Sequence, residues 1–130
     1  MKSLLLTLVL VISTQVNAAQ VELGKYKAVD VNTKAIHADL VLRADATTSI
    51  TINTPDLPKP IPCEGTYTLV GNEFSANVKC KSTLLDRANV KIDVTNVNPQ
   101  SVRTEAGAEV SVVIDALGDD AMKFMLKKAD

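Results

Sequence analysis

The chain is predicted to be all-β, with about eight antiparallel strands in a meander that closes into a small barrel or a barrel-like sandwich. Three observations predict it. Beyond residue 20, apolar and polar residues alternate through most of the sequence, as half-buried strands require. Clusters of Gly, Asn, Asp and Pro punctuate the alternating runs. The stretch CEGTYTLVGNEFSANVKC (63–80) carries every sign of one complete hairpin.

The first residues lie outside the expected fold. Met1-Lys2-Ser3 bears a positive charge, LLLTLVLVI (4–12) is a short apolar run, and Val16-Asn17-Ala18 places small residues where a signal peptidase cuts. Residues 1–18 are therefore read as a cleaved secretory signal, and residues 19–130 as a single β domain, periplasmic or secreted. The apolar run is shorter than the roughly 20 residues that span a bilayer, so no membrane insertion is expected after cleavage.

The next segments follow in order. VELGKYKAVD (21–30) and AIHADLVLRA (35–44) are joined by Val31-Asn32-Thr33-Lys34, and the second places Ile36, Ala38, Leu40 and Leu42 on one face. TTSITIN (47–53) is the third strand. Residues 54–62, TPDLPKPIP, hold four prolines, which predicts a stiff, extended crossing between sheet edges and excludes a helix or a central strand.

The central hairpin turns at Gly71-Asn72, a pair that suits the positive φ of the turns joining two-residue hairpins. That turn sets Val70 opposite Glu73, Leu69 opposite Phe74, Tyr67 opposite Ala76, Gly65 opposite Val78 and Cys63 opposite Cys80. One face then collects Cys63, Gly65, Tyr67, Leu69, Phe74, Ala76, Val78 and Cys80, and the other is nearly all polar. A slip of one residue would turn the apolar face to water, so burial fixes the register. The two cysteines, the only ones in the chain, meet as a non-hydrogen-bonded pair with Cα atoms about 4.5 Å apart, within disulfide range. A bond there closes a loop worth about 3 kcal/mol in the chain-entropy account. The pair reads as a structural disulfide and not as a reactive thiol, which would need an electropositive, partly exposed setting.

After it, KSTLLDR (81–87) is expected to form one helical turn. ANVKIDVTNV (88–97) alternates Val90, Ile92 and Val94 against polar residues, and Ser101-Val102-Arg103-Thr104 reads as a short extra strand. AEVSVVIDAL (108–117) turns Val110, Val112, Ile114 and Ala116 inward, and Gly118-Asp119-Asp120 leads to the last segment, 121–128. That segment reads as a strand with Met122, Phe124 and Leu126 inward, a helix being the alternative.

Composition narrows the function. A net charge of −1 without a Lys/Arg run does not suit nucleic acid or an anionic membrane. Two Tyr, two Phe and no Trp leave few groups to stack on bases or sugars. His37, the single histidine, is expected on an outer face beside Asp39, without a cleft for acid-base chemistry. Two cysteines and one histidine supply too few ligands for a zinc site, and Asp119-Asp120 too few oxygen donors for calcium. No cofactor, metal site or catalytic residue is expected, and the chain is not read as an enzyme.

The export signal, Gly24-Lys25-Tyr26 at the start of the first strand and the eight-strand meander together resemble the lipocalin-like (calycin) barrels of bacteria. Tyr26 stands where lipocalins carry a tryptophan. The resemblance implies a ligand-holding cup or a protein-inhibiting plug and carries over no catalytic residue. Two readings of function follow. In the first, the barrel takes a small apolar or amphipathic ligand at a mouth near Tyr26, Tyr67 and Phe74. The small inward residues Ala28, Ala38, Gly65 and Ala76 leave room for it, unless they mark where a flattened, solid barrel brings its walls together. In the second, the domain binds another protein, for example as a hydrolase inhibitor, through Pro55, Pro58, Pro60 and Pro62. A cavity of several hundred Å³, the usual ligand-pocket range, favours the first.

Overall fold

Eight strands hydrogen-bond in chain order, each antiparallel to the next, and the first pairs with the last to close a barrel. A computed structural model describes residues 20–32, 34, 37–53, 55, 58–83 and 85–129. The expected signal segment falls outside them, as do Ile36 and position 35 of the second strand. The strands are β1 (Gly24–Asp30), β2 (His37–Leu42), β3 (Thr47–Asn53), β4 (Ile61–Val70), β5 (Glu73–Cys80), β6 (Arg87–Asp93), β7 (Ala108–Ile114) and β8 (Met122–Lys128). Two short 3₁₀ helices, η1 (Ser101–Arg103) and η2 (Asp115–Leu117), flank β7.

The register of the central hairpin is the one that alternation and the turn predict. Cys63 pairs with Cys80, Gly65 with Val78, Tyr67 with Ala76 and Leu69 with Phe74. Gly71 takes φ 60°, as the first central residue of a type II′ turn does. The disulfide joins Cys63 and Cys80, whose Cα atoms are 4.0 Å apart. Gly65 is required by a close approach: a Cβ there would stand 1.8 Å from the carbonyl oxygen of Asn77 on the neighbouring strand β5.

Side chains alternate as expected in most strands. β6 buries Ala88, Val90 and Ile92 and exposes the residues between them. Thr48 is the polar exception in β3, fully buried, and its hydroxyl donates to the Val41 carbonyl at 2.7 Å. Full burial of each large core side chain contributes about 1.5–3 kcal/mol. Residues 121–128 settle as strand because β8 is stitched on both sides, to β7 and to β1. Closure wins over helical spacing.

Several boundaries differ from the sequence expectation. β1 begins at Gly24 instead of Val21. β6 ends at Asp93, whose carboxylate accepts from the Thr95 N–H and hydroxyl and turns the chain out of the sheet. β7 ends at Ile114, and Ala116, expected inward, is exposed in η2. Residues 101–103 form η1, with Thr104 as its cap, and 101–104 is not an extra strand, because Asn98 Oδ1 accepts the N–H groups of Gln100 and Ser101 and coils the chain. Residues 81–83 are bends, with no helical turn among the described residues of 81–87. The Cys80 N–H donates to the Asp86 carbonyl across that loop, and Leu85 is buried as its anchor. Leu69, expected inward, is 37% exposed because the tip of the β4–β5 hairpin projects past the barrel rim.

The proline segment is also corrected. It joins β3 to its own neighbour β4, and its last two residues, Ile61 and Pro62, belong to β4. A central strand tolerates Pro62 because it lies near the strand start. The Lys81 N–H donates to the Pro62 carbonyl at 3.0 Å, and the reciprocal bond, which Pro cannot make, is the one ladder bond that proline removes at the frayed end of β5.

Candidate functional site

The barrel has two unlike ends. At the capped end stand the starts of β1, β3, β5 and β7, and the long connection 94–107 between β6 and β7 folds over it. The Val94 N–H donates to the Asn72 carbonyl, and the Gln20 N–H to the Val97 carbonyl, which ties the cap to the hairpin turn and to the chain ahead of β1. Val97 and Val102 are driven into the core, 2% and 1% exposed. Glu22 holds Arg103 at 2.8 Å across the outside.

Tyr26, Tyr67 and Phe74 all belong to this half. Tyr26 is 1% exposed, and its hydroxyl donates to the Glu22 carbonyl at 2.7 Å while the Lys128 ammonium lies 5.3 Å from its ring. Phe74 is buried against Tyr67, ring centroids 5.3 Å apart, and the Tyr67 hydroxyl donates to the Arg43 carbonyl. The structure thus brings Tyr67 and Phe74 together and keeps Tyr26 with the cap. All three are packed and satisfied, and none lines the internal cavity.

That cavity opens at the other end, where the β1–β2, β3–β4, β5–β6 and β7–β8 connections lie. Its volume is about 90 Å³. Its walls come from β1, β2 and β3 on one side and β6, β7 and β8 on the other, including Ala38, Ile52, Val112, Ile114 and Met122. Among the described residues, β4 and β5 contribute nothing to it, so the disulfide-bonded hairpin forms a closed flank. Two of the four small inward residues, Ala28 and Ala38, leave this space; Gly65 and Ala76 do not, because their own strands pack close. The wall is almost wholly apolar, and Leu117 from η2, 59% exposed, stands with His37 at the outside. His37 is exposed, as alternation predicts, but it borders a mouth that sequence reasoning did not place there. Asp39 does not orient it: that carboxylate takes Lys27 at 3.3 Å.

Asp115, two residues before Leu117, is tied to β6. Its two carboxylate oxygens accept the Asn89 backbone N–H and the Asn89 side-chain amide, each at 2.8 Å, and these bonds hold its carboxyl below the usual aspartate range.

A second concavity lies on the outside of the same end. Pro58, Lys59, Pro60, Ile61 and Pro62 face Lys81, Ser82 and Thr83 across a groove of about 700 Å³. Pro55, Pro58, Pro60 and Pro62 are all exposed.

Among the described residues no cluster of three His, Cys, Asp or Glu side chains could hold a metal ion, and no helix is long and apolar enough to cross a membrane. The chain matches no protein-family model, no curated protein and no solved structure.

Proposed function

We propose that this chain is an exported binding module of lipocalin-like kind, which receives the apolar end of a small amphipathic ligand in the cavity at the open end of its barrel. The observation that carries this reading is the cavity's wall, apolar on every side and interrupted only at the mouth. An apolar group entering it leaves water without stranding a polar atom, whereas a buried hydroxyl or amide would find no partner there. Export is supported by the sequence of residues 1–18 and by the disulfide, a bond that persists in oxidising compartments.

Size limits the ligand. The cavity, about 90 Å³, is well below the roughly 300–1,000 Å³ of pockets that enclose a whole small molecule. It is also smaller than the engineered apolar cavity of about 150 Å³ that takes up benzene. The group inside is therefore a short alkyl branch or chain end, and the polar remainder stays outside beside His37. The domain works by holding this group and not by chemistry on it.

Native mass spectrometry of the protein purified from its own host tests this. A retained small-molecule mass, lost in a Val112→Leu variant that fills the cavity, is the expected result; a bare chain under gentle conditions, together with no uptake of added short-chain alcohols, would overturn it. A second reading, a protein-interaction or inhibitor module, is favoured by the groove beside Pro58, Pro60 and Pro62 with Lys59 and Lys81 on its flanks. In the same experiment it predicts a retained protein partner that a Pro58→Ala, Pro60→Ala double variant releases.

A further inference from the structure

The cavity mouth is bordered by an element that barrel closure does not need. The β6–β7 ladder has Val90 opposite Ile114 as its outermost pair, and β7–β8 pairing starts with Val112 opposite Met122. Between them the chain could cross by a tight turn. Instead residues 115–121 form η2 and an exposed loop.

This detour is fastened at one point. Asp115, its first residue, reaches back to β6 and accepts both hydrogen bonds from Asn89. Two residues on, Leu117 lies at the cavity mouth. Gly118 then takes φ 117°, a conformation that other residues rarely adopt, and a Cβ there would meet nothing within 4 Å. Its N–H donates only a long bond, 3.3 Å, to the Asp115 carbonyl. The segment is clasped before Leu117 and unsupported after it. Leu117 itself is 59% exposed, so little apolar burial resists its displacement.

We propose that η2 is a gate, with Leu117 as its stopper and the Asp115–Asn89 clasp as its latch. Asp115 is thus a positioning residue: it touches no ligand and acts by setting where Leu117 stands. Access to the cavity then depends on release of the clasp and rotation about Gly118, and not on loosening of the strands. The purpose of such a gate rests on the binding reading above, but its operation can be measured without any ligand.

A single cysteine at Val112→Cys, on the buried cavity wall, reports opening through its rate of reaction with methyl methanethiosulfonate while the native disulfide stays intact. A cysteine at Val102→Cys, buried under the cap at the opposite end, is the control. Adding Asp115→Ala or Leu117→Ala is expected to speed labelling at position 112 tenfold or more and to leave position 102 unchanged. Unchanged labelling at 112 in both variants would overturn the gate, as would a parallel rise at 112 and 102, which would mean that the whole barrel had loosened. Ile114→Cys, also on the wall, replaces Val112→Cys if that variant does not fold. Because no ligand is present, the gate can fail while the binding reading stands. Conversely, a gate that opens as expected in a protein that retains no ligand would sink only the binding reading.

Discussion

The capped and open ends are built from the same eight strands, yet one is solid and the other hollow. The difference lies in the connections. At the capped end a long segment, residues 94–107, folds inward and delivers Val97 and Val102 to the core beside Tyr26 and Phe74. At the open end the β7–β8 connection leaves Leu117 half in solvent, and the space beneath it is left to Ala28 and Ala38, too small to fill it. In a barrel of this size, whether there is room for a ligand is decided by what crosses the ends as much as by strand number.

This contrast can be broken by substitution. The largest effect is expected from Phe74→Ala in the solid half, which should lose about 3–5 kcal/mol in urea unfolding because the well-packed surroundings cannot collapse into the gap. Replacing Cys63 and Cys80 together by Ser should lower stability by about 3 kcal/mol, the loop-closure value for a separation of 17 residues. A smaller loss would mean that the hairpin register alone restrains the unfolded chain. The sharpest comparison adds one methylene at each end. Val102→Leu, under the cap, is expected to cost about 1–3 kcal/mol by overpacking, whereas Val112→Leu, beside the cavity, should gain up to about 0.8 kcal/mol. Equal losses at both positions would show that the two ends are packed alike.

Acid gives the smallest effect. Hydrogen bonds from Thr47 to Asp45, from Thr95 to Asp93 and from Asn89 to Asp115 lower these carboxyl pKa values in the folded state. A group depressed in this way contributes stability that is fully present above its unfolded value, about 3.9, and disappears as pH falls through the folded value. Unfolding midpoints should therefore be flat from neutral pH to about pH 5 and decline below pH 4. Asp115→Asn should lower the neutral plateau slightly and reduce that decline by the same amount, because the stability that Asp115 contributes is present only above its pKa; an identical acid profile in this variant would remove the Asn89 clasp from the account.

Much of the strand framework could be read from the residues because independent signals agreed there. In the hairpin, the Gly71-Asn72 turn, the alternation and the cysteine positions all specify one register, and β3, β6 and β7 follow their Val and Ile spacing. The site was harder. The sequence offers Tyr26, Tyr67 and Phe74 for a mouth, but nothing periodic in residues 94–107 announces that the chain folds over that end. Val97 and Val102, apolar residues on either side of Asn98-Pro99-Gln100, were the available signal. The cavity depends on the summed sizes of side chains from six strands, a quantity set by closure and not by any local run. The proline segment misled in another way: its rigidity was legible, but the neighbour relation of β3 and β4 was not, since stiffness says nothing about where a chain goes.

The seam between β1 and β8 fixes the order in which the molecule can be made. The five register pairs from Tyr26–Lys128 to Asp30–Phe124 join the first strand of the barrel to the eighth, so this ladder cannot form until β8 is in place. Without that ladder, β1 to β7 would leave two unpaired borders, and closing them is a long-range pairing of the kind that slows folding.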